Sequence, residues 1–429
     1  MQSGGADTIF AAASGAGQAA VTVLRLSGPA SGEMLGRLAG GCPPPRRASL
    51  RTLRSGAQPL DRALVLWLPG PASYTGEDTA ELHLHGGRAV LQAVSDALVS
   101  LGGRPAEPGE FTRRAFLHGR MDLVEAEAVA DLVAAETEAQ RRQALRQLGG
   151  ALGDLYRGWT DRLTRLLAQQ ETLIDFPDED LPPEVEATLL ADMAALTSEI
   201  AAHLDDGRRG ERLREGLVFA ITGAPNVGKS TLINALADRD VAIVAASPGT
   251  TRDVLEVRVA LGGVPVTLLD TAGLRDTDDP VEAEGIRRAR ARAAAADLVV
   301  RVVDPGGGEM QRDGGIVVAN KADLGIAAPG ADLSVSALTG AGLDLLREFL
   351  ASEARRLTDA AGPPALTRPR HRAALLECHT RLRRARAAEW PELRGEDFRG
   401  ALRSLGRITG EVGAEAVLDA VFSQFCIGK

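Results

Sequence analysis

Residues 217–230 read LVFAITGAPNVGKS, an apolar run that leads into the pattern G-x-x-x-x-G-K-S. A strand, a glycine-rich loop and a helix start in this order predict a P-loop, in which backbone N–H groups surround phosphates at a helix N-terminus. Lys229 is then expected to reach the β- and γ-phosphates, and Ser230 to ligate Mg²⁺. The stretch therefore predicts a parallel α/β domain that binds a nucleoside triphosphate, rather than a chance glycine-rich turn.

Two further motifs follow apolar runs and indicate which nucleotide is bound. Asp270-Thr-Ala-Gly273 follows Val264–Leu269, so its carboxylate can hold the Mg²⁺ shell and its glycine N–H can contact the γ-phosphate. Asn320-Lys-Ala-Asp323 follows another β-rich run, and the carboxylate of Asp323 can accept hydrogen bonds from N1–H and N2–H₂ of guanine. Adenine lacks that donor pair. Together the motifs predict a site for GTP rather than ATP.

Composition limits the classes of protein that the chain can belong to. Its 429 residues are 45% apolar but only 3% aromatic, which favours helical cores of Leu, Val and Ala. The net charge of −9 means that any RNA contact must use local basic patches. Each candidate patch could equally be a solvated helix face. The candidates are Arg141–Arg146, Arg208–Arg214, Arg287–Arg292 and Arg381–Arg386.

The cysteines, the histidines and the lengths of the apolar runs bear on compartment and metals. Cys42, Cys378 and Cys426 offer no disulfide framework or zinc pattern and fit a reducing cytosol, and the first two are expected to be structural or incidental. His83 and His85 share one strand face, where packing is favoured over metal binding because no third ligand is close. No run of about 18 apolar residues exists, so we expect a cytoplasmic protein without a membrane segment.

The composition and the period of apolar residues change along the chain, which predicts a multidomain α/β and α protein. An α+β domain is followed by helical sequence, which is interrupted by the P-loop domain and then resumes, so the helical domain is discontinuous. The predicted parts are residues 1–118 (N-terminal α+β domain), 119–213 (first part of the helical domain), 214–360 (inserted P-loop α/β GTPase domain) and 361–429 (second helical part, ending in Cys-Ile-Gly-Lys).

Local patterns predict a few elements in more detail. Val21–Leu26 and Leu64–Leu68 are apolar and are expected to be buried strands, whereas Glu81–His85 alternates like a half-buried strand. Met121–Leu148 is rich in Ala, Leu, Glu and Arg and contains no proline, which predicts one long helix.

Several longer segments have a specific pattern. They are Ser73-Tyr-Thr-Gly-Glu-Asp78, Glu81-Leu-His-Leu-His-Gly-Gly87, residues 108–123 (PGEFTRRAFLHGRMDL), Asp270–Gly285 and the terminal Phe425-Cys-Ile-Gly-Lys429. With the inserted GTPase domain, these segments resemble the MnmE (TrmE) family of tRNA modification GTPases over essentially the whole chain.

The resemblance implies a function on tRNA. A K⁺-stimulated, Mg²⁺-dependent GTP hydrolase would act with the FAD-containing protein MnmG, in a heterotetramer, on wobble uridine 34 (U34) of certain tRNAs. The two proteins would add a carboxymethylaminomethyl or aminomethyl group at carbon 5. The resemblance further implies a homodimer joined through the N-terminal domains, which bind a formyl-tetrahydrofolate-type folate.

Catalytic positions are implied by the same resemblance. Beside Lys229, Glu282 is implied to place the attacking water, because Leu274 after the DTAG motif cannot orient it as a glutamine could. Without the family, Glu282 would be a solvated residue of an acidic loop. Cys426 is implied in the modification chemistry, or is a buried or incidental cysteine.

The resemblance also places metals and folate. Mg²⁺ would be held by Ser230 and Thr251. The K⁺ positions are Asn226, Thr250 and the carbonyls of Ala245 and Ser247, in a loop that Pro248 stiffens. The folate positions are Arg25, Glu81, Arg120 and Lys429, with Arg120 standing where the family often has lysine. Three alternatives stay open. Arg25 could be a surface residue of an edge strand, Glu81 a charge on a strand face, and Asn226 a part of ordinary P-loop structure.

The motifs and the resemblance together predict a set of GTP-binding positions. They are Asn226, Val227, Gly228, Lys229, Ser230, Thr231, Ala245, Ala246, Ser247, Pro248, Gly249, Thr250, Thr251, Asp270, Thr271, Ala272, Gly273, Asn320, Lys321, Asp323, Ser336, Ala337 and Leu338.

Two other functions compete with this interpretation. An Era-like ribosome-assembly GTPase would act as a binding switch, but it would carry an appended RNA-binding domain instead of the SYTGED segment and the terminal Cys-x-Gly-Lys. An interaction scaffold with a vestigial nucleotide site is disfavoured by intact Lys229, Ser230, Asp270 and Asp323.

Overall fold

A computed structural model of the protein describes residues 7–15, 17–175, 183–239, 256–271, 287, 291, 293–306, 315–359, 364–411, 415–423, 425 and 428. The chain divides into two compact units, each built from segments that are separate in sequence. The first comprises Met1–Ala130, Leu148–Arg165 and Arg399–Lys429, and the second comprises Asp131–Gln147 and Leu166–Phe398. The four predicted domain boundaries stay predictions.

The first unit contains a six-stranded sheet in the order β3-β4-β5-β2-β1-β6, antiparallel except where β1 meets β6. Its strands are β1 Ile9–Ala12, β2 Val21–Ser27, β3 Ser49–Ser55, β4 Gln58–Leu68, β5 Thr79–His85 and β6 Arg104–Pro105. Helices α1 (Ser31–Ala39) and α2 (Arg88–Ser100) pack their apolar sides onto one face of it.

The other face of this sheet is covered only in part, where Ile9 and Ala11 of β1 pack with Phe111, which corrects the prediction that two strands are wholly buried. Leu24 and Leu26 of β2 are in the core, but Val21 at the start of that strand is 51% exposed. Leu64 of β4 is 45% exposed while its neighbour Val65 is buried. Both strands therefore alternate, because one face packs against helices whereas the other face is uncovered at these two positions.

A second apolar cluster of the first unit joins α3 (Glu110–Leu117) and α4 (Leu123–Ala134) to α13 (Glu415–Phe422). The cluster contains Leu123, Ala126, Leu418, Val421, Phe422 and Phe425.

The predicted single helix over residues 121–148 is wrong, because α4 ends at Ala134 and α5 covers Glu138–Leu148. Thr137 starts the second helix: its Oγ1 accepts from the N–H of Gln140 at 3.4 Å, and Gln140 Oε1 accepts from the N–H of Thr137 at 3.2 Å. This reciprocal pair is a capping box, T-x-x-Q, and the motif was already visible in the sequence.

The second unit contains a six-stranded sheet in the order β12-β11-β10-β7-β9-β8, parallel except for the antiparallel edge strand β8. Its strands are β7 Leu217–Thr222, β8 Glu256–Leu261, β9 Val264–Asp270, β10 Leu298–Val303, β11 Ile316–Ala319 and β12 Leu333–Ser334. The central strands are buried on both faces, as in doubly wound α/β domains.

The remaining helices lie in or continue into the second unit. They are α6 Ala151–Asp175, α7 Pro183–Leu204, α8 Arg209–Glu215, α9 Lys229–Arg239, α10 Leu343–Thr358, α11 Pro369–Ala387 and α12 Pro391–Thr409, with a 3₁₀ helix at Ala322–Leu324. Across the part of the chain that the structure describes, every helix is too short or too polar to cross a lipid bilayer. The predicted combination of an N-terminal α+β domain, a helical domain and a P-loop α/β domain is confirmed.

Candidate functional site

The P-loop lies between β7 and α9 at the carboxyl edge of the second sheet, as predicted. Gly223 has φ +142°, and a Cβ there would stand 2.1 Å from the carbonyl oxygen of Val302. Gly228 has φ +92°, and a Cβ there would stand 2.3 Å from Nδ2 of Asn320. Only glycine fits at either position, so the loop backbone is free to approach phosphates closely.

Lys229 is the first residue of α9, and its side chain folds back over the loop. Its Nζ donates to the carbonyls of Gly223 at 2.9 Å and Ala224 at 2.7 Å, and the residue is only 4% exposed. A cleft of about 490 Å³ opens beside it, within the usual size range of ligand pockets. The cleft is lined by Gly223, Pro225, Asn226, Gly228, Lys229, Ser230 and Thr231.

Ser230 and Asp270, both predicted near Mg²⁺, lie side by side. Ser230 Oγ, in the first turn of α9, donates to Oδ2 of Asp270 at 2.7 Å. Asp270 ends β9 and is 2% exposed. A hydroxyl and a carboxylate are the oxygen donors that Mg²⁺ prefers, so these two residues fit a magnesium shell.

Asn320 ties the phosphate side of the site to the guanine side. Its Nδ2 donates to the carbonyl of Val227 at 2.9 Å, and its Oδ1 accepts from the N–H of Ala337 at 3.0 Å. Ser336 Oγ in turn donates to Oδ1 of Asp323 at 2.5 Å. This hydrogen bond orients the carboxylate of Asp323, which lies at the same edge of the sheet as the P-loop. Leu338, further along the guanine-side loop, is 83% exposed.

Asp304 is a site residue that the motif analysis did not single out. It directly follows β10, and its Oδ2 accepts from Nζ of Lys321 at 2.9 Å. Lys321 itself has φ 62°. The sequence did contain a signal for Asp304, because it is an acidic residue at the carboxyl end of a central strand, and ligands of such sheets bind at that edge.

Part of the predicted GTPase site lies outside the described residues. These positions are Ala245, Ala246, Ser247, Pro248, Gly249, Thr250, Thr251, Ala272, Gly273 and Glu282, together with Cys426 and Lys429 from the C-terminus. The K⁺ site, the water-positioning glutamate and the terminal cysteine and lysine therefore stay predictions.

In the first unit, two predicted folate positions meet across neighbouring strands. Arg25 on β2 is the register partner of Glu81 on β5, and its Nη2 donates to Oε1 of Glu81 at 2.9 Å. The guanidinium carbon of Arg25 lies 5.2 Å from the ring centre of Tyr74 and 5.9 Å from that of Phe111. Because β2 lies between β1 and β5, the edge-strand alternative for Arg25 is wrong.

Tyr74 closes this cluster, and its hydroxyl shares a hydrogen bond of 2.8 Å with Thr112. Burial raises the pKa of Tyr74, although the Thr112 hydrogen bond and the charge of Arg25 act to lower it. The phenol therefore stays protonated at neutral pH. Together, Arg25, Glu81 and Tyr74 form a half-buried surface, with buried Phe111 beneath it, that is suited to a flat, polar molecule.

Arg114 is a further residue that the motif analysis missed, and it positions the SYTGED segment. It is 6% exposed and binds Glu77 at 3.2 Å, Asp7 at 2.8 Å and Glu110 at 3.0 Å. Burial acts to lower the pKa of Arg114, but the charges of Glu77 and Glu110 outweigh it and the pKa rises. Glu77 thus serves as an anchor for the loop.

Two other first-unit residues of interest are Arg120 and His85. Arg120 is exposed and lines a cleft of about 410 Å³ with Phe116, Asp122 and Arg157, among others. His85 Nδ1 lies 2.7 Å from Oδ1 of Asp61. Within the described ranges, no group of three or more His, Cys, Asp or Glu side chains could hold a metal ion.

Comparison with known proteins gives this architecture a family. A family model described as the GTP-binding protein TrmE N-terminus matches residues 8–120, and one described as the MnmE helical domain matches residues 123–426. The chain is 61% identical over 431 residues to the tRNA modification GTPase MnmE of Gluconacetobacter diazotrophicus, with 98% of each chain covered. The chain belongs to the MnmE (TrmE) family.

Other relatives of the MnmE family agree. The tRNA modification GTPase MnmE of Granulibacter bethesdensis is 55% identical, with 99% of each chain covered. Among solved structures, the G domain of the T. maritima FeoB iron transporter is 27% identical and matches 32% of this chain and 98% of its own, at a TM-score of 0.24 that is too low to bear on function. As a member of the MnmE family, the chain is a GTP hydrolase that acts in tRNA modification. Neither an Era-like switch nor a vestigial scaffold is consistent with that membership.

Proposed function

We propose that the chain hydrolyses GTP in a K⁺-stimulated, Mg²⁺-dependent reaction and, with the FAD-containing protein MnmG, adds a carboxymethylaminomethyl group to U34 of certain tRNAs. One observation supports the GTPase part most strongly. Asn320 bonds to the P-loop at Val227 and to the guanine-side loop at Ala337, so the cradle around Lys229 and the acceptor at Asp323 lie at one edge of one sheet.

In the proposed reaction, water attacks the γ-phosphate of GTP and yields GDP and phosphate. Lys229 binds the β- and γ-phosphates, and Ser230, Asp270 and Thr251 would hold Mg²⁺, which would supply positive charge beside the transferred group. Glu282 positions the water. Asn226, Thr250 and the carbonyls of Ala245 and Ser247 hold K⁺, which supplies the positive charge that other GTPases take from arginine.

We further propose that the N-terminal domain binds a formyl-tetrahydrofolate-type folate and joins two chains in a homodimer. The support is the Arg25–Glu81 pair beside Tyr74: Arg25 uses only Oε1 of Glu81, which leaves Oε2 able to accept from the N–H groups of a pterin-like ring. Arg120 and Lys429 would contact the same ligand, and Cys426 would take part in the modification chemistry. The expected location is the cytoplasm, where tRNA is modified.

A comparison of monovalent cations tests the proposed hydrolysis. GTP turnover of the full chain is measured in KCl and in NaCl at equal ionic strength, and we expect the rate to be clearly higher in KCl. Asn226→Ala should remove the difference by lowering only the KCl rate, whereas Lys229→Ala should abolish turnover in both salts. Equal wild-type rates in the two salts would refute the K⁺ site.

The U34 chemistry has its own test, because it can fail while GTP hydrolysis stands. Deleting the gene should remove the carboxymethylaminomethyl or aminomethyl nucleoside from bulk tRNA, as measured by mass spectrometry of digested tRNA. A plasmid copy should restore it, and a copy with Lys229→Ala should not. An unchanged nucleoside profile in the deletion strain contradicts the proposal.

A further inference from the structure

The hairpin of β3 and β4 has an unusual charge. Between Gly41 and Leu60 the sequence contains no Asp or Glu, although the protein as a whole has a net charge of −9. Five exposed arginines belong to this hairpin and the turn before it, and we name them the basic edge. They are Arg46, Arg47, Arg51, Arg54 and Arg62.

None of these five guanidinium groups meets a carboxylate among the described residues. Arg46 and Arg54 donate to the backbone carbonyls of Ala72 and Ala57, which leaves their charge in place. Arg47, Arg51 and Arg62 make no side-chain hydrogen bond or ion pair within the described ranges. The neighbouring acid, Asp61, accepts from the backbone N–H of His85 at 2.9 Å and lies 2.7 Å from its ring.

Several arginines elsewhere in the first unit behave differently, although Arg88 and Arg120 also make no ion pair within the described ranges. Arg104 binds Glu110 at 2.6 Å, Arg114 binds three carboxylates, and Arg157 binds Asp122 at 2.6 Å. In this unit, ion pairing is thus common for arginine, and the basic edge departs from it.

The position of β3 places these charges around one free edge of the sheet, on both of its faces. Among the described residues β3 is an edge strand, so one side of it pairs with no other strand. At about 3.3 Å per residue, the backbone from Arg47 to Arg54 spans roughly 20 Å. Arg62 of β4 is the register partner of Thr52, so its side chain lies beside that span on the face opposite to that of Arg51, whose partner is Ala63.

Protection of a free sheet edge does not account for the pattern. One or two charges of either sign keep an edge from pairing with another chain. Five like charges without counter-ions repel each other, and a large anion that lies along them would offset that repulsion. Guanidinium groups suit phosphate because they bind it through two parallel hydrogen bonds.

We propose that the basic edge is a contact surface for the sugar–phosphate backbone of tRNA. The inference rests on the proposed function in so far as tRNA is the substrate of this chain. It adds a place of contact, which lies outside both the GTP site and the Arg25–Glu81 cluster.

The test uses the full chain and a matched control. The variant R47Q/R51Q/R62Q removes three unpaired charges, and R37Q/R355Q/R356Q removes three charges from exposed arginines that pair with Glu33, Glu348 and Glu353. Binding of fluorescent tRNA is measured by anisotropy over a series of KCl concentrations. We expect the first variant to bind at least about tenfold more weakly near 100 mM salt, with a salt slope lower by about 2 to 3.

The control should bind tRNA like the wild type, and both variants should hydrolyse GTP at the wild-type rate. Wild-type affinity and salt slope in R47Q/R51Q/R62Q would overturn the proposal, and so would an equal loss in the control, which would reflect net charge alone. Loss of binding to vesicles of phosphatidylcholine and phosphatidylserine with tRNA binding intact would assign the surface to membranes instead. A wild-type chain that binds no tRNA would contradict the proposed function itself.

Discussion

Asp323 illustrates how one carboxylate can select a base. Ser336 Oγ donates to one of its oxygens at 2.5 Å, which orients the side chain for the two guanine donors. Hydrogen bonds to a charged group contribute about 1.5–3 kcal/mol each. In Asp323→Asn, the amide replaces one acceptor oxygen with a donor, which clashes with guanine and suits the carbonyl oxygen of xanthine.

We therefore expect Asp323→Asn to weaken GTP binding by about 100-fold or more and to strengthen XTP binding. Fluorescent nucleotide displacement measures both affinities. Ser336→Ala is the intermediate case, because it keeps the carboxylate but loses its orientation, and it should weaken GTP without any gain for XTP. Unchanged GTP affinity in Asp323→Asn would show that this residue does not face the base.

His203 is a buried residue whose charge state links stability to pH. It is 7% exposed, and burial lowers its pKa to about 4, with the nearby Arg372 and His371 also lowering it and Asp206 raising it. The folded-state pKa thus lies below the value of about 6.5 in an unfolded chain. In the folded state, His203 is neutral above about pH 4, whereas in the unfolded chain it takes up a proton below about pH 6.5. Its contribution to stability is therefore lost as pH falls from about 6.5 toward 4.

Replacing His203 with Asn should flatten this pH dependence. Between pH 7 and pH 4, the wild type should lose about 3 kcal/mol more unfolding free energy than His203→Asn, as measured by urea unfolding at several pH values. Thr380→Ala is the control, since Thr380 is an exposed residue of α11 that does not titrate, and the pH slope of this variant should match the wild type. Parallel slopes for wild type and His203→Asn would contradict the burial argument.

At the scale of elements, the turn from β7 into α9 depends on a glycine that another loop packs against. Adding a methyl group at Gly228 places Cβ 2.3 Å from Nδ2 of Asn320, which would displace the side chain that joins the two loops. Its φ of +92° adds a conformational cost of about 1–2 kcal/mol.

We expect Gly228→Ala to weaken GTP binding at least about 100-fold, because the steric clash adds to the backbone cost. The matched control is Gly263→Ala, where φ is +81° but no heavy atom lies within 4 Å of the added Cβ. This control should lose only about 1–2 kcal/mol of stability and bind GTP normally. Isothermal titration with GTP and a thermal melt separate the two effects. Equal GTP affinities for both variants would refute the role of the Gly228–Asn320 contact.

Elements were predictable where local signals agreed and uncertain where they competed. Leu217–Thr222 and Ile316–Ala319 were found from short apolar runs bounded by motifs. The break between α4 and α5 was missed because helix-forming composition outweighed a single capping box at Thr137. The exposure of Val21 and Leu64 was also missed, since an apolar run does not reveal that part of one sheet face is uncovered.

At the scale of the whole molecule, the core of the second sheet lies almost entirely inside one continuous stretch. The buried residues of that core run from Leu217 to Ala354, with Leu213 outside. Its links to the earlier part of the chain include Ala139 of α5, which packs partly buried against the core, and the ion pair of Arg258 with Glu136, between α4 and α5, at 3.0 Å. Partly exposed pairs of this kind contribute about 0–1 kcal/mol, so most of the stability of the sheet should come from its own core.

A fragment of residues 214–360 should therefore fold and bind GTP with an affinity within about tenfold of the full chain. Circular dichroism and nucleotide titration test this, with the same fragment containing Lys229→Ala as the control that folds but does not bind. Such a result would support the predicted boundaries of the inserted domain. A fragment that is unfolded, while the full chain binds GTP, would show that the flanking helices complete its core.

The sequence by itself determined the phosphate loop, the guanine acceptor and the resemblance to one family, because these depend on residues at short fixed spacings. Only the tertiary structure decided which distant side chains meet. Arg25 and Glu81 are 56 residues apart and become neighbours through strand pairing, and Lys321 meets Asp304 because two parallel strands end at one edge. Likewise, five arginines form one basic edge only because β3 is the last strand of its sheet. Contacts of this kind follow from topology and register, which local sequence does not encode.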